Sequence, residues 1–361
     1  MSVLASSATG SAKRLARTRF AKNQASSTVA FDGPVLRPIE TPVACRHSKR
    51  SQSRPRTPRP RSAMGPLKIV RYIWKHPMNR GARVAAVGRF VRWQIGTRVL
   101  GLPCLIPMGE HGVMVASRGD HGATGNFYCG LHEYPDMLFV LHALEPGDLF
   151  LDAGANVGSY TVLAGAVAGA DVICCEPVPT TVEKLRRNVA ANLMSDRVQT
   201  CHTAVGRAPG TCRMTTGHDA MNRVLDEGSD ASVGEPSVEV PISRIDDLVP
   251  PGRVRVMKLD VEGFEREALA GARRLLGESS LLAVLIELNG AGRRYGVEDA
   301  ELDATLRAAG FSPATYNPTS RKLSELATFN SSGNTLYVRE AHELRDRLEH
   351  ARPVQVFGRT L

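Results

Sequence analysis

The chain lacks several features that would fix its class at once. It has no run of about eighteen apolar residues, so no membrane-spanning helix is expected. The longest apolar stretch, Tyr160 to Cys175, is cut by Asp171 and reads as a helix followed by a strand. The first thirty residues have no apolar core, so no secretory signal is read there. The seven cysteines show no CxxC spacing, and two of them, Cys174 and Cys175, are adjacent within an apolar strand. A disulfide framework does not fit that pattern, and buried thiols in a cytoplasmic protein are expected. No internal repeat is visible. Acidic residues are also scarce at one end: positions 1–62 hold thirteen Lys and Arg but only two Asp and Glu.

That imbalance accounts for the net charge of +10. The tail carries +11 and the remaining residues carry −1, so a basic-patch argument for nucleic acid does not extend to the body. Residues 1–63 are rich in Ser, Arg and Pro, and too poor in large apolar residues to offset the entropy of ordering. They read as a disordered extension, as residues ahead of a true start at Met64, or as an organellar targeting peptide.

Residues 64–130 read as a cap. Ile69, Ile73, Trp74, Val84, Val87, Phe90 and Val91 recur at helical spacing among Lys and Arg. They predict an amphipathic helix pair covering the main domain, with a face resting on a membrane or a partner as the alternative. A helix is expected over 132–144. From 148 onward, strands at 149–152, 171–176, 197–203, 254–260 and 281–288 alternate with helices at 158–168, 179–192, 263–276 and 298–309. The stretch 206–245 is less regular and could form a hairpin, and a last strand pair is expected at 311–316 and 333–338. This alternation predicts an α/β fold with a mostly parallel twisted sheet and helices on both faces. The main domain is expected to span 131–338, with a helix or tail over 339–361.

Ligands of such sheets sit at the carboxyl ends of the strands. The first end reads Asp152-Ala153-Gly154-Ala155-Asn156-Val157-Gly158, a glycine turn whose backbone N–H groups are expected to face a ligand. The second carries Glu176, placed to accept ribose hydroxyls. A dinucleotide fingerprint needs glycine where Asn156 and Ser159 stand, so a nucleoside without a pyrophosphate fits better. S-adenosylmethionine is such a nucleoside. The fourth strand end reads Lys258-Leu259-Asp260-Val261-Glu262-Gly263-Phe264-Glu265.

Together, the Asp152–Gly158 turn, Glu176-Pro177, Lys258–Glu265 and the later Asn334-Thr335-Leu336-Tyr337 strand resemble the FkbM family of S-adenosylmethionine-dependent methyltransferases. The resemblance covers roughly 130–338. It implies a class I, Rossmann-like methyltransferase fold, S-adenosyl-L-methionine as cofactor, and O-methylation of a hydroxyl on a sugar, glycan or polyketide-type natural product. Asp152, Gly154, Asn156 and Gly158 match the cofactor loop, and Glu176 the ribose ligand. The N/D-P-P-Y/F motif of amino-methylating enzymes is absent, which disfavours methylation of DNA amines.

Methyl transfer to an alcohol needs alignment of the acceptor oxygen and removal of its proton. Asp260 and Glu262 are the candidate bases; alternatively, Asp260 holds the cofactor's amino group and Glu262 caps the next helix. His202, at the third strand end, is placed near the adenine. His218, Asp219 and Asn222 form a candidate substrate loop. Glu287 and Asn289 could join Asp260 around Mg²⁺, although structural hydrogen bonding by Glu287 is commoner, and no metal is assigned. Acceptor recognition is expected from 101–135 and 206–245, where no motif is legible. Two further readings remain: a cofactor-binding but catalytically silent scaffold, and an RNA methyltransferase recruited by the tail.

Overall fold

The computed structural model describes residues 65–217, 222–225, 236–331 and 333–361. The basic tail, and His218 and Asp219 of the candidate substrate loop, lie outside the described residues.

Two helices come first, α1 (Pro66–Lys75) and α2 (Arg83–Gln94), the second running on as a wider π-turn over Ile95–Val99. The antiparallel hairpin β1 (Cys104–Met108) and β2 (Gly112–Ala116) follows, then α3 (His121–Cys129) and α4 (Tyr134–Ala143). The alternating part begins with β3 (Leu149–Ala153), α5 (Ser159–Val162), β4 (Asp171–Cys175), α6 (Pro179–Ala191) and β5 (Val198–Cys201). A small sheet of β6 (Ala204–Val205), β7 (Gly210–Thr215) and β8 (Ser237–Ser243) interrupts it. The alternation resumes through α7 (Ile245–Leu248), β9 (Val254–Leu259), α8 (Glu265–Ala270), α9 (Arg273–Gly277), β10 (Ala283–Leu288) and α10 (Asp299–Ala308). Strands β11 (Ser312–Asn317), β12 (Lys322–Glu325) and β13 (Gly333–Val338) and helix α11 (His342–Glu349) follow.

The main sheet has eight strands in the order β12-β11-β13-β10-β9-β3-β4-β5. Pairing is parallel from β5 through β10, and β13 runs antiparallel between β10 and β11. Strand β3 is buried along its whole length, as a central strand covered on both faces must be. Alternate residues serve the two sides. Phe150 joins Ile73, Phe90, Trp93, Phe139 and Leu185 in one core, whereas Leu151 joins Met257, Leu269, Val284 and Leu306 in the other. The cap helices therefore share the core of one sheet face. Trp93 packs on Phe127 with ring centroids 5.2 Å apart.

The strands lie close to the expected spans, and the irregular stretch does contain a hairpin, β7 against β8. Two helices differ. The helix after β3 is regular only over Ser159–Val162 and widens into a π-turn through Leu163–Ala168 before Gly169 ends it at φ 80°. The helix expected over 263–276 is broken at Gly271, where a Cβ would lie 2.1 Å from the Gly206 carbonyl oxygen. Helix α9 restarts because the Asp246 carboxylate accepts from the Arg274 and Leu275 amides, a cap supplied from α7. Strand β12 was not legible as a strand, being largely exposed at the sheet edge.

Asn188 of α6 and Asn192, which ends that helix, fasten the β1–β2 hairpin to the domain. Asn192 exchanges hydrogen bonds with both backbone groups of Val113, and Asn188 accepts from the Val115 amide while donating to the Val157 carbonyl. Asn188 is fully buried, so Asn188→Ala strands polar groups at 115 and 157. We expect a loss of about 1–3 kcal/mol per stranded group, read by urea denaturation. Loss of under about 0.5 kcal/mol would mean the staple contributes nothing.

Candidate active site

A cavity of about 320 Å³ opens at the carboxyl ends of β3, β4, β9 and β10. It spans the point where the chain order reverses between β3 and β9, where ligands of open α/β sheets bind. Asp152, Gly154 and Asn156 line one side with Glu176; Lys258, Asp260, Glu262 and Glu287 line another.

The glycine turn is tighter than its spacing alone indicates. Gly154 has φ 83°, and a Cβ there would lie 1.8 Å from the Asp260 carbonyl oxygen. Gly158 has φ 94°, and a Cβ there would meet Leu185 at 2.6 Å. Both glycines thus serve close approach as well as left-handed backbone. The expectation that the turn's amides face a ligand is corrected. Gly154 and Ala155 both donate to the Cys175 carbonyl, Asn156 to Glu176, Val157 to the Asn156 side chain, and Gly158 to the Ala155 carbonyl. With these five donors used internally, the turn offers no cradle for a pyrophosphate.

The side chains, in contrast, have capacity left. Asp152 is buried; one oxygen accepts from the Thr161 hydroxyl at 2.7 Å and the other, Oδ1, has no protein partner. Burial raises its pKa, opposed by Lys258 and Thr161. Glu176 accepts one backbone amide on each oxygen, from Asn156 at 3.1 Å and Val178 at 3.0 Å, leaving a lone pair on each for a ribose diol. An orphaned acceptor at the turn and a carboxylate at the next strand end fit the amino and ribose groups of an adenosyl amino acid. His202 does not join them: it is exposed, hydrogen-bonded to the Pro177 carbonyl at 3.0 Å, and the neighbouring Thr203, Ala204 and Val205 line the cavity instead.

The acidic side is held by one cation. Lys258 is 5% exposed, lies in register with Asp152, bonds Asp260 at 2.7 Å and sits 5.0 Å from the Tyr160 ring centre. Carboxylate oxygens of Asp260, Glu262 and Glu287 all lie within 4.8 Å of one another. Strand geometry does not bring Asp260 and Glu262 together, because β9 ends at Leu259 and Glu262 takes φ 55°, the left-handed region. Glu262 does not cap the following helix either; Glu265 accepts from the Val261 and Gly263 amides. Asn289 is exposed and occupied with the Ala291 amide, so Glu262 rather than Asn289 stands beside Asp260 and Glu287. Burial, then the charge of Asp260, raises Glu262 to about 7 and Glu287 to about 8. Burial likewise raises Glu176 to about 7.

The sequence reading missed His132, Glu133 and Tyr160, which complete the cavity wall. Tyr160 donates to Glu133 at 2.7 Å, and His132 Nδ1 lies 2.6 Å from the Tyr72 hydroxyl of α1. No local motif marks them, because they come from two elements outside the strand ends. The regions expected to recognise the acceptor do reach the cavity, through Gly122, His132 and Glu133 on one side and Met214, Asn222 and Val224 on the other.

A parallel sheet with the antiparallel β13 inserted near one end, and acidic residues at the ends of β3 and β4, is the class I, Rossmann-like methyltransferase fold. Residues 152–313 match the family model described as Methyltransferase FkbM domain, so the FkbM resemblance is borne out. The chain is similar to 31-O-demethyl-FK506 methyltransferase FkbM of Streptomyces tacrolimicus, 28% identical over 171 residues. It is also similar to methyltransferase sdnD of Sordaria araneosa, 24% identical over 169 residues. Each match covers 38% of this chain and 65% of the relative. Among solved structures it is similar to SMU.1697c, a methyltransferase-like protein of Streptococcus mutans solved with SAH, at 12% identity and TM-score 0.36, covering 57% of this chain and 96% of that one. Another is the transferase-like PH0793 of Pyrococcus horikoshii, at 12% identity and TM-score 0.35, covering 70% and 83%.

The raised carboxyls have a consequence for stability. Glu176, Glu262 and Glu287 hold protons in the folded state that the unfolded chain releases near pH 4.5. The folded state binds more protons above that pH, so stability is greatest below it and declines as pH rises through about 7 to 8. Thermal melts between pH 5 and 9 should show Tm falling, and Glu287→Gln should flatten the decline. A Tm that rises across this window in the ligand-free protein would contradict the burial of these groups.

Proposed function

We propose that this chain is an S-adenosylmethionine-dependent O-methyltransferase acting on a hydroxyl of a sugar, glycan or polyketide-type natural product. The observation carrying the reading is the carboxylate cluster of Asp260, Glu262 and Glu287, set across one cavity from Asp152 and Glu176. The cofactor supplies an electrophilic methyl group on a sulfonium. Glu176 would hold the ribose and Asp152 Oδ1 the amino-acid end, fixing the methyl carbon relative to the acidic side. Positioning of this kind contributes on the order of 7–11 kcal/mol.

The acceptor hydroxyl must then lose a proton. Glu262, at about 7, is the base we assign, because its pKa stands close to a neutral operating pH. Glu287, at about 8, stays largely protonated at neutral pH and orients the pair, while Lys258 holds the Asp260 carboxylate in place at 2.7 Å. The name of the Streptomyces relative, 31-O-demethyl-FK506 methyltransferase, records methylation at an oxygen, which supports a hydroxyl acceptor. The chain spans under two thirds of that relative, so the acceptor of this protein rests on its own cavity.

Two outcomes are expected. Isothermal titration with S-adenosylmethionine should give a saturable heat that Glu176→Ala weakens at least about tenfold, since two ribose hydrogen bonds are lost. No heat with the intact chain would end the proposal. With a hydroxyl acceptor, kcat should rise with pH through about 7, and Glu262→Gln should lower kcat by about 10²–10⁴ with little change in cofactor affinity. A Glu262→Gln enzyme with unchanged kcat would remove Glu262 as base.

A further inference from the structure

The cap carries a surface that the methyltransferase site does not use. Along α2 and its π-turn, Val84, Val91, Ile95 and Val99 are exposed, at 79%, 48%, 49% and 74%. Their spacings of seven, four and four residues place them on one helical face. The opposite face, Ala86, Phe90, Trp93 and Thr97, is buried in the core. A helix packed on a domain normally turns its polar face outward; this one is apolar on both sides. Leu100, Leu102 and Leu105 extend the exposed apolar surface past the helix end, and Trp74 and Leu67 add to it from α1. Arg83 lies over the Trp74 ring at 5.5 Å, tying the two helices' exposed sides together.

The charge of this segment is one-sided. Residues 64–109 contain eight Lys and Arg and no Asp or Glu, whereas 110–361 carry a net charge of −9. Arg83, Arg92 and Arg98 are exposed and sit one residue from stripe positions 84, 91 and 99, so they flank the apolar face. On α1, Lys68, Arg71 and Lys75 recur at three- and four-residue spacing and line a shallow concavity with Tyr72 and His76.

We propose that α1, α2 and the π-turn form a monotopic docking face for an anionic lipid bilayer. The apolar stripe would enter the acyl boundary, and the flanking guanidinium and ammonium groups would meet lipid phosphates, their stems lying along the apolar layer. Charge complementarity selects this occupant. A second copy would bring two strongly basic faces together. A nucleic acid would pair with the basic groups but leave nine exposed apolar side chains against water. Among the described residues no helix is long and apolar enough to cross a membrane, so the contact is one of lying on the surface.

The chain has two tryptophans, and only Trp74 belongs to this face; Trp93 is 4% exposed. Intrinsic fluorescence is therefore a built-in probe. The full chain is mixed with vesicles of phosphatidylcholine alone or phosphatidylcholine with phosphatidylglycerol, and binding is scored by flotation and by Trp emission. The expected result is binding to the anionic vesicles with a shift of emission to shorter wavelength, neither occurring with phosphatidylcholine alone. Trp74→Phe should abolish the shift while leaving flotation, and Val91→Asp with Ile95→Asp should weaken binding at least about tenfold at unchanged Tm. Flotation with no change in Trp emission would assign the binding to the basic tail and overturn the proposal. So would unchanged binding of the double aspartate chain, tighter binding to an RNA oligomer than to vesicles, or a dimer that the aspartates dissociate. None of these readouts depends on methyltransferase activity.

Discussion

The contact on which the site depends is between two loops. The Asp260 amide donates to the Ala153 carbonyl at 3.0 Å, and Gly154 lies so near the Asp260 carbonyl that any side chain at 154 would overlap it. Strands β3 and β9 are neighbours at the point where the chain order reverses, so their exits would otherwise diverge around an open crevice. Glycine at 154 draws them together at the base. The cofactor residues and the acidic residues thereby face one another across a single cavity. The turn's amides are consumed in building this junction, which leaves recognition to the side chains of Asp152 and Glu176.

One ammonium group sets the electrostatics of what lies above. Lys258 points from the middle of the junction toward Asp152 on one side and Asp260 on the other, with a π-face of Tyr160 against it. Several partly buried carboxyls crowd together beside this cation. Asp260 holds the short contact with Lys258, while Glu262 and Glu287 are pushed up to about 7 and about 8.

Much of this was legible from the residues. The apolar run at 149–151 and the Val254-Arg255-Val256-Met257 stretch are flanked sharply enough to be read as strands, and Asp152, Glu176 and Asp260 follow as strand ends. The Asn156 that breaks the dinucleotide spacing pointed away from a pyrophosphate, and the internal use of the turn's amides agrees with it. His202 stands apart from the cavity lining because strand position does not determine side-chain direction in the residue just past the strand; its ring meets the Pro177 carbonyl. Asn289 failed because its side chain stabilises its own loop. His132, Glu133 and Tyr160 became partners only through the packing of α5 against the connection between α3 and α4, which a single sequence does not reveal. The cap was read as a helix pair, but which apolar residues stay outside became visible only once Phe90 and Trp93 had been placed inside.

The central claim is that Glu176 and Asp152 orient an adenosyl cofactor so that its reactive group faces Asp260, Glu262 and Glu287. A crystal structure with S-adenosylhomocysteine, the demethylated product, tests it most directly. The ribose hydroxyls should lie on the Glu176 oxygens, the amino group at Asp152 Oδ1, and the sulfur should be directed at the acidic cluster. Adenosine bound away from Glu176, or a sulfur directed away from Glu262, would contradict it.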